Sequence, residues 1–507
     1  MHIAFLNPQG NFDPRDSYWT EHPDFGGQLV YVKEVAGAIG ALGHRADILT
    51  RQIIDPDWPE FAGRLDAYPD LEKVRIVRLP CGPEGFLPKE ELWPYLGTEW
   101  VPNIVDFYRQ EGSQPDAFTA HYADGALSGA FLKQEIRLSF TMTGHSLGAQ
   151  KMDKLGATPA SLAGRHAHFH FPRRIFAERV GMSHAGRIIT STVQERLEQY
   201  AHPAYRGAVD PREESRFAVV PPGVNLRIFS PEPSAVDPTI RQRVDAALAR
   251  DINGARRELP LVIASSRLDG KKNHLGLVRA FAAGAKLRAA ANLAIVVRGV
   301  EDPLHQYGSL SPDEKAIMHE ITATMTEHEL WGIVTAFPLN SQGELAAAYR
   351  ILAQRGSTFA LTALYEPFGL APLEAMSCGL PAVVTRNGGP SESMVEGDRE
   401  FGVLVDPADP ADIAHGLLRL VGPENEWRTF HRAGRQRVLD RYTWERTAEG
   451  YLRVVKKMLD SKQMQSPDQG LPIPAYFSDP RPELDLTVDR LLDIWPIAPQ
   501  PTPGTQP

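Results

Sequence analysis

The chain alternates short apolar runs with amphipathic stretches almost throughout, and near residue 260 that pattern starts again. "HIAFLN" (2–7) reads as a buried strand. After a long polar loop, "GGQLVYVKEVAGAIGALG" places Val32, Val35, Ile39 and Leu42 at helical spacing, with Gly43 suited to end the helix. "RADILT" then supplies the next strand. A strand–helix–strand unit of this kind joins parallel strands, and a parallel sheet needs both faces covered. The second run reads "LPLVIASS", "HLGLVRAFAAGAKL", "ANLAIVVRG", "GIVTAFP", "STFALTA" and "PAVVTR". Ser311 and Glu314 form a capping box that opens one of the intervening helices. The expected fold class is α/β, with two Rossmann-like doubly wound halves. Such halves hold ligands at the carboxyl ends of their strands. If those edges face each other, the site is a cleft.

At 507 residues the chain is too long for one core. The proline-rich stretch "FAVVPPGVNLRIFSPEPS" reads as the linker, giving a first domain over 1–224 and a second over 225–442. Residues 424–460 read as helical. The tail over 462–507, ending "PIAPQPTPGTQP", reads as an extended or disordered extension that chemistry does not need, with "LDLTVDRLLDIW" as one short amphipathic helix inside it. A net charge of −9 argues against nucleic acid or an anionic membrane as partner. Two cysteines far apart, Cys81 and Cys378, give no disulfide framework and suit a reducing cytoplasm. The N-terminus reads as a strand rather than a signal peptide, and no apolar stretch is long enough to span a bilayer.

The motifs fall just after strands. In "GGQLVYVKE", Gly26 and Gly27 let the backbone come close to a phosphate at a helix N-terminus, without the full dinucleotide fingerprint. In "SSRLDGKKNHLG", Arg267 and Lys272 converge on the start of a helix, as a pyrophosphate requires, but the Walker spacing is missing. "YEPFGLAPLEAMSCG" sets Glu366 in a turn and Glu374 in the helix beyond it. From Gly369 to Glu374 a helix rises roughly 7.5 Å. The two carboxylates therefore suit different parts of one extended ligand better than a glycosidase pair. A plainer reading makes Glu374 a charge favoured by the helix dipole.

"TGHSLGAQK" matches the nucleophile elbow G-x-S-x-G around Ser146, which raises a serine hydrolase, but the run after the serine is a weak helix start. His145 at that strand end is the stronger candidate. "RHAHFHFPRR" alternates His166, His168 and His170, a pattern open to a metal but without acidic companions. Arg173 and Arg174, with Lys151, Lys154 and Lys89, suggest a phosphate pocket, or else a solvated helix face.

Taken in order, "DFGGQLVYVKEVA", "TGHSLGAQKM", "SSRLDGKKNHLGLV", "FPLN" and "YEPFGLAPLEAMSCGLPAVVTRNGGP" resemble the retaining glycosyltransferases of the sucrose synthesis group, and among them the bacterial, single-module sucrose-phosphate synthase family. The resemblance spans about residues 1–460. It implies the GT-B fold, with two Rossmann-like domains facing each other across a cleft and a return helix at about 443–461 that rejoins the first domain. It implies transfer of glucose from UDP-glucose to fructose 6-phosphate, giving sucrose 6-phosphate and UDP with retention. Gly27 is then expected near the donor phosphates and Gln28 in the acceptor pocket. Arg267 and Lys272 are expected on the pyrophosphate and Glu374 on the ribose. Glu366 is expected on a glucose hydroxyl, helped by the Phe368, Gly369 and Leu370 backbone, and His145 near the reacting face. Lys89, Lys151 and Arg174 are expected on the acceptor phosphate. No metal and no cofactor is implied, because UDP-glucose is a substrate. Neighbouring activities are a sucrose synthase using free fructose and a mannosylfructose-phosphate synthase using GDP-mannose. A nucleotide-sugar epimerase is the alternative of a different class.

Overall fold

The computed structural model describes residues 1–19, 22, 24–158, 161–162, 164, 168–422, 426–461 and 470–495. The chain divides into two compact units, Met1–Val220 with Thr447–Pro507, and Pro221–Arg446.

The first unit is built on an eight-stranded sheet: β1 (His2–Leu6), β2 (Arg45–Arg51), β3 (Leu65–Asp66), β4 (Val74–Leu79), β5 (Ala117–His121), β6 (Phe140–Thr143), β7 (Arg187–Thr190) and β8 (Phe217–Val219). Their order is β3-β4-β2-β1-β5-β6-β7-β8, parallel except for β3 against β4. All five residues of β1 are buried, as expected of a strand covered on both faces. The helix Gly27–Ala41 follows β1 and ends before Gly43, whose φ of +90° a side chain would resist. Helix Trp444–Asp460 returns to this unit from Thr447 onward. It buries Tyr451, Val455 and Met458, and its Gly450 lies against Val220, where a Cβ would come within 2.6 Å.

The tail departs from its expected extended or disordered state over 470–495. Tyr476, Phe477, Leu486 and Leu491 are buried in the first unit's core. Arg173 grips Asp485 through two bonds of 2.8 and 2.7 Å and stacks on Tyr476 at 4.6 Å. The Leu471 amide donates to Ser183 Oγ at 3.0 Å, while its carbonyl lies 2.8 Å from His184 Nε2. Proline is no obstacle because the segment needs no ladder. It folds as two single turns, Ala475–Phe477 and Pro482–Leu484, with Pro474 just before the first and Pro482 opening the second. The helix Val488–Ile494 follows.

The second unit carries a six-stranded parallel sheet of β9 (Leu261–Ala264), β10 (Asn292–Val296), β11 (Val334–Phe337), β12 (Thr358–Leu361), β13 (Ala382–Thr385) and, beyond the small hairpin β14 (Val395–Glu396) and β15 (Arg399–Glu400), β16 (Val403–Val405). Its order is β11-β10-β9-β12-β13-β16, the 3-2-1-4-5-6 arrangement of a Rossmann fold. Alternate residues feed opposite layers: Leu261 and Ile263 pack in one core, Val262 and Ala264 in the other. In each unit the strand order reverses beside the first strand, between β1 and β5 and between β9 and β12. The loops that leave β1, β9 and β12, with the helix starts that follow them, carry most of the expected site residues. Among the described residues no helix is long and apolar enough to cross a membrane.

Candidate active site

In the first unit, the loop after β1 is fixed by Asn7. Its Oδ1 accepts from Gln28 Nε2 at 2.5 Å, and its Nδ2 donates to the Gln9 carbonyl at 2.6 Å. Gly26 precedes the helix Gly27–Ala41 in extended backbone, and a Cβ on either Gly26 or Gly27 would meet nothing within 4 Å. The backbone there faces open space, at the end of a helix where amide donors are free.

β5 ends in His121, and Tyr122 and Asp124 begin the next helix. Tyr122 is held at φ +68°, a strained value for a bulky residue. Tyr122 and Asp124 line a recess with Gln9, Lys89, Glu90, Trp93, Phe169 and Arg174. Lys89 Nζ bonds Asp24 Oδ1 at 2.6 Å. The buried Arg174 bonds Glu178 Oε1 at 3.1 Å and the Ser146 carbonyl, and lies 4.5 Å over the Tyr122 ring. Lys151 Nζ sits 4.3 Å from the Phe169 ring, and burial, followed by the nearby Arg174 charge, lowers its pKa. The structure thus brings Lys89, Lys151 and Arg174 together. Asp124, which sequence reasoning missed, has one buried carboxylate oxygen with no partner among the described residues. Burial pushes its pKa up to about 7.

β6 ends before His145, whose φ of +55° is again left-handed. Its Nε2 lies 2.8 Å from His121 Nδ1 and its ring packs edge-on against Tyr31 at 4.9 Å. Burial lowers the His145 pKa to about 4. Ser146 is exposed, its Oγ has no partner among the described residues, and the helix after it begins only at Gly148. With His145 turned to His121, "GHSLG" is not assembled as a nucleophile elbow. Of the alternating histidines, His166 lies outside the described residues, His168 is exposed and His170 has φ +43°. One carboxylate–histidine group does come together elsewhere, at Asp251, Asp302 and His305, but Arg250 and Thr335 each already hold Asp251 at 2.7 Å.

In the second unit, Asn273 ties the loops on either side of the strand-order reversal. It sits at φ +56° and caps helix His274–Ala283 through Gly276 N. Its Nδ2 donates to the Thr362 carbonyl at 3.0 Å and the Pro407 carbonyl at 2.8 Å. This places Lys272 beside Glu366, with Nζ 2.6 Å from Oε2. Residues expected on adjoining parts of one ligand, the pyrophosphate and a glucose hydroxyl, form a direct ion pair. The reason is the reversal itself, which puts the loop after β9 next to the loop after β12. The Glu366 backbone is pinned in turn: its N–H donates to Asn387 O and its carbonyl accepts from Gly389 N, both at 3.0 Å. Gly388 has φ +101°, and a Cβ there would lie 2.0 Å from the Glu366 carbonyl, so only glycine fits. "RNGGP" carried that signal in the sequence.

Gly369, at φ +88°, opens helix Leu370–Ser377. Glu374 is the fifth residue of that helix, past the first turn, so the dipole reading does not account for it. Its carboxylate has no hydrogen-bond or cation partner among the described residues, and burial pushes its pKa up to about 7. Arg267 is exposed and likewise unpartnered among the described residues. Cys81 and Cys378 are both buried and free.

Residues 26–223 match a family model described as a glycosyl transferase 4-like domain, and residues 245–437 match glycosyl transferases group 1. A probable sucrose-phosphate synthase of Thermosipho melanesiensis is 41% identical over 457 residues, which is 90% of this chain and 97% of that protein. The solved sucrose-phosphate synthase of Thermosynechococcus elongatus superposes with a TM-score of 0.61 at 24% identity, over 90% of this chain and 99% of that one. An Anabaena protein solved in complex with UDP gives 0.58 at 16% identity, over 90% of this chain and 100% of that one. Two parallel-sheet α/β units of this kind are the GT-B fold. The chain is an enzyme and belongs to the sucrose-phosphate synthase family of glycosyltransferases.

Proposed function

We propose that this enzyme transfers glucose from UDP-glucose to fructose 6-phosphate with retention, releasing sucrose 6-phosphate and UDP. The observation that carries the reading is a recess lined by Lys89 and Arg174, with Lys151 against the Phe169 ring of its wall, in an otherwise acidic chain. Lysine offers three donors and arginine five, so the bonds to Asp24 and Glu178 leave donors for a phosphate. The acceptor 6-phosphate is their natural ligand, with Gln28 nearby on the sugar. Gly27, in open space at a helix N-terminus, suits close approach of the donor phosphates.

The donor roles fall to the second unit. Arg267 and Lys272 stand before helix His274–Ala283, where its dipole adds to their charge as UDP leaves. Glu366 orients Lys272 through their ion pair and accepts from a glucose hydroxyl, beside the Phe368, Gly369 and Leu370 backbone. The free carboxylate of Glu374 accepts from the ribose. His145 meets the glucose near the reacting face. The departing phosphate oxygen takes the acceptor proton, a front-face step that needs no carboxylate nucleophile. Positioning and cationic stabilisation then supply the rate, with no metal or cofactor, and the free cysteines fit a cytoplasmic enzyme.

A matrix of UDP-, ADP- and GDP-sugars against fructose and fructose 6-phosphate, with products identified by NMR, tests this. The expected product is α-linked sucrose 6-phosphate from UDP-glucose, insensitive to EDTA. Equal use of free fructose would overturn the phosphate assignment and favour a sucrose synthase.

A further inference from the structure

The histidine of "TGHSLG" is itself held by a histidine that no motif marked. His121 closes β5, and its ring is wholly buried. It stacks on Phe5 at 5.5 Å and on His145 at 5.1 Å, nearly parallel to both. Its Nδ1 meets His145 Nε2 at 2.8 Å and its Nε2 lies 3.4 Å from Thr119 Oγ1. Burial holds both imidazoles uncharged. Two neutral rings in hydrogen-bond contact keep one proton between them at that contact. The far side of His121 points to which ring carries it. There, Thr141 Oγ1 donates to Thr119 Oγ1 at 2.9 Å. Accepting there, the Thr119 hydroxyl has its own proton to offer His121 Nε2 at 3.4 Å, and in that arrangement Nε2 is an acceptor. His121 then carries its proton on Nδ1 and donates it to His145 Nε2.

We infer that His121 is a positioning residue that fixes His145 as the Nδ1–H tautomer, so that His145 meets the sugar as a hydrogen-bond donor. The consequence for transfer rests on the reading that His145 touches glucose; the tautomer does not. Two further observations agree. His145 Nδ1 has no protein partner among the described residues, so its proton is available to a ligand. The residue also holds φ +55°, a strained conformation kept only where its surroundings enforce it. The Thr141–Thr119–His121–His145 chain runs across β5 and β6 and ends at the site.

The test uses the full-length protein labelled with ¹⁵N-histidine and three variants. His121→Asn keeps an N–H donor near the place of Nδ1, His121→Asp offers only acceptors, and His121→Phe keeps only the stacking shape. Long-range ¹H–¹⁵N spectra are expected to show wild-type His145 protonated on Nδ1 with a free-base Nε2. His121→Asn should keep that pattern, and His121→Asp should move the proton to Nε2. In turnover, His121→Asp and His121→Phe should lose about a hundred-fold in kcat, with KM for fructose 6-phosphate little changed, while His121→Asn stays near wild type. An Nε2–H tautomer in the wild type overturns the proposal, whatever the substrates prove to be and whether or not the variants fold. The expected tautomers with unchanged kcat in His121→Asp would instead overturn the contact between His145 and the sugar.

Discussion

Lys272 and Glu366 share a bond of 2.6 Å, so neither can be changed without releasing the other. An ammonium held in this way adds most where charge grows, on the departing diphosphate. Lys272→Ala is therefore expected to lower kcat by about 10²–10³ while changing KM for UDP-glucose much less. Steady-state kinetics at saturating fructose 6-phosphate give the comparison, and unchanged turnover would remove Lys272 from the mechanism. Glu374 makes a separate statement about stability. Its folded pKa of about 7 lies above its usual 4.5, so between those values the native state holds a proton that the unfolded chain has lost. Stability from this group thus falls as pH rises through that window and stays low above it. Replacing Glu374 with glutamine is expected to raise Tm at pH 8 and to leave it unchanged below pH 4.5. The gain is at most about 3.5 kcal/mol, from about 1.4 kcal/mol per pH unit. A Tm gain that is equal at both pH values would disprove the burial account.

Among the elements, the segment 470–495 has the largest consequence for engineering. Phe477 is fully buried and packs 6.3 Å from Trp93, which lies beside Lys89 in the recess. Phe477→Ala is expected to cost about 3–5 kcal/mol in urea unfolding, and truncation after residue 469 to cost more. A truncated enzyme with wild-type Tm would show that the segment is an appendage. The short helix expected in "LDLTVDRLLDIW" is present at Val488–Ile494, but the rest of the segment was misjudged for a physical reason. Counting prolines argues against ladders and long helices, but single turns need neither, and Leu471, Tyr476, Phe477 and Leu491 were enough to anchor them. The strands were legible because burial on both faces writes them as unbroken apolar runs. The loops after β9 and β12 were legible because glycine, proline and charge cluster where a strand meets a helix. His121, Asp124 and the meeting of the "RNGGP" turn with Glu366 were not. Each depends on contact between neighbouring strand ends that lie far apart in the chain, and the spacing of one sequence does not record which ends meet.

At the scale of the molecule, the second unit is one unbroken segment and the first is not. A fragment over 221–446, with two core layers of its own, is expected to fold alone and to bind UDP by calorimetry. A fragment over 1–220 should need 447–495 supplied in trans before it unfolds cooperatively. Failure of the first fragment to fold would mean that its layers are not self-sufficient. The same interruption sets a timetable on the ribosome. The first unit's sheet is complete at β8, yet the helix carrying Tyr451, Val455 and Met458 arrives only after all of 221–446 has been made. At about 5–20 residues per second, that leaves an apolar seam open for roughly 10–45 s during synthesis. Over that interval the open seam offers the kind of apolar surface that chaperones bind, and slow codons in the stretch encoding 221–446 would lengthen the exposure.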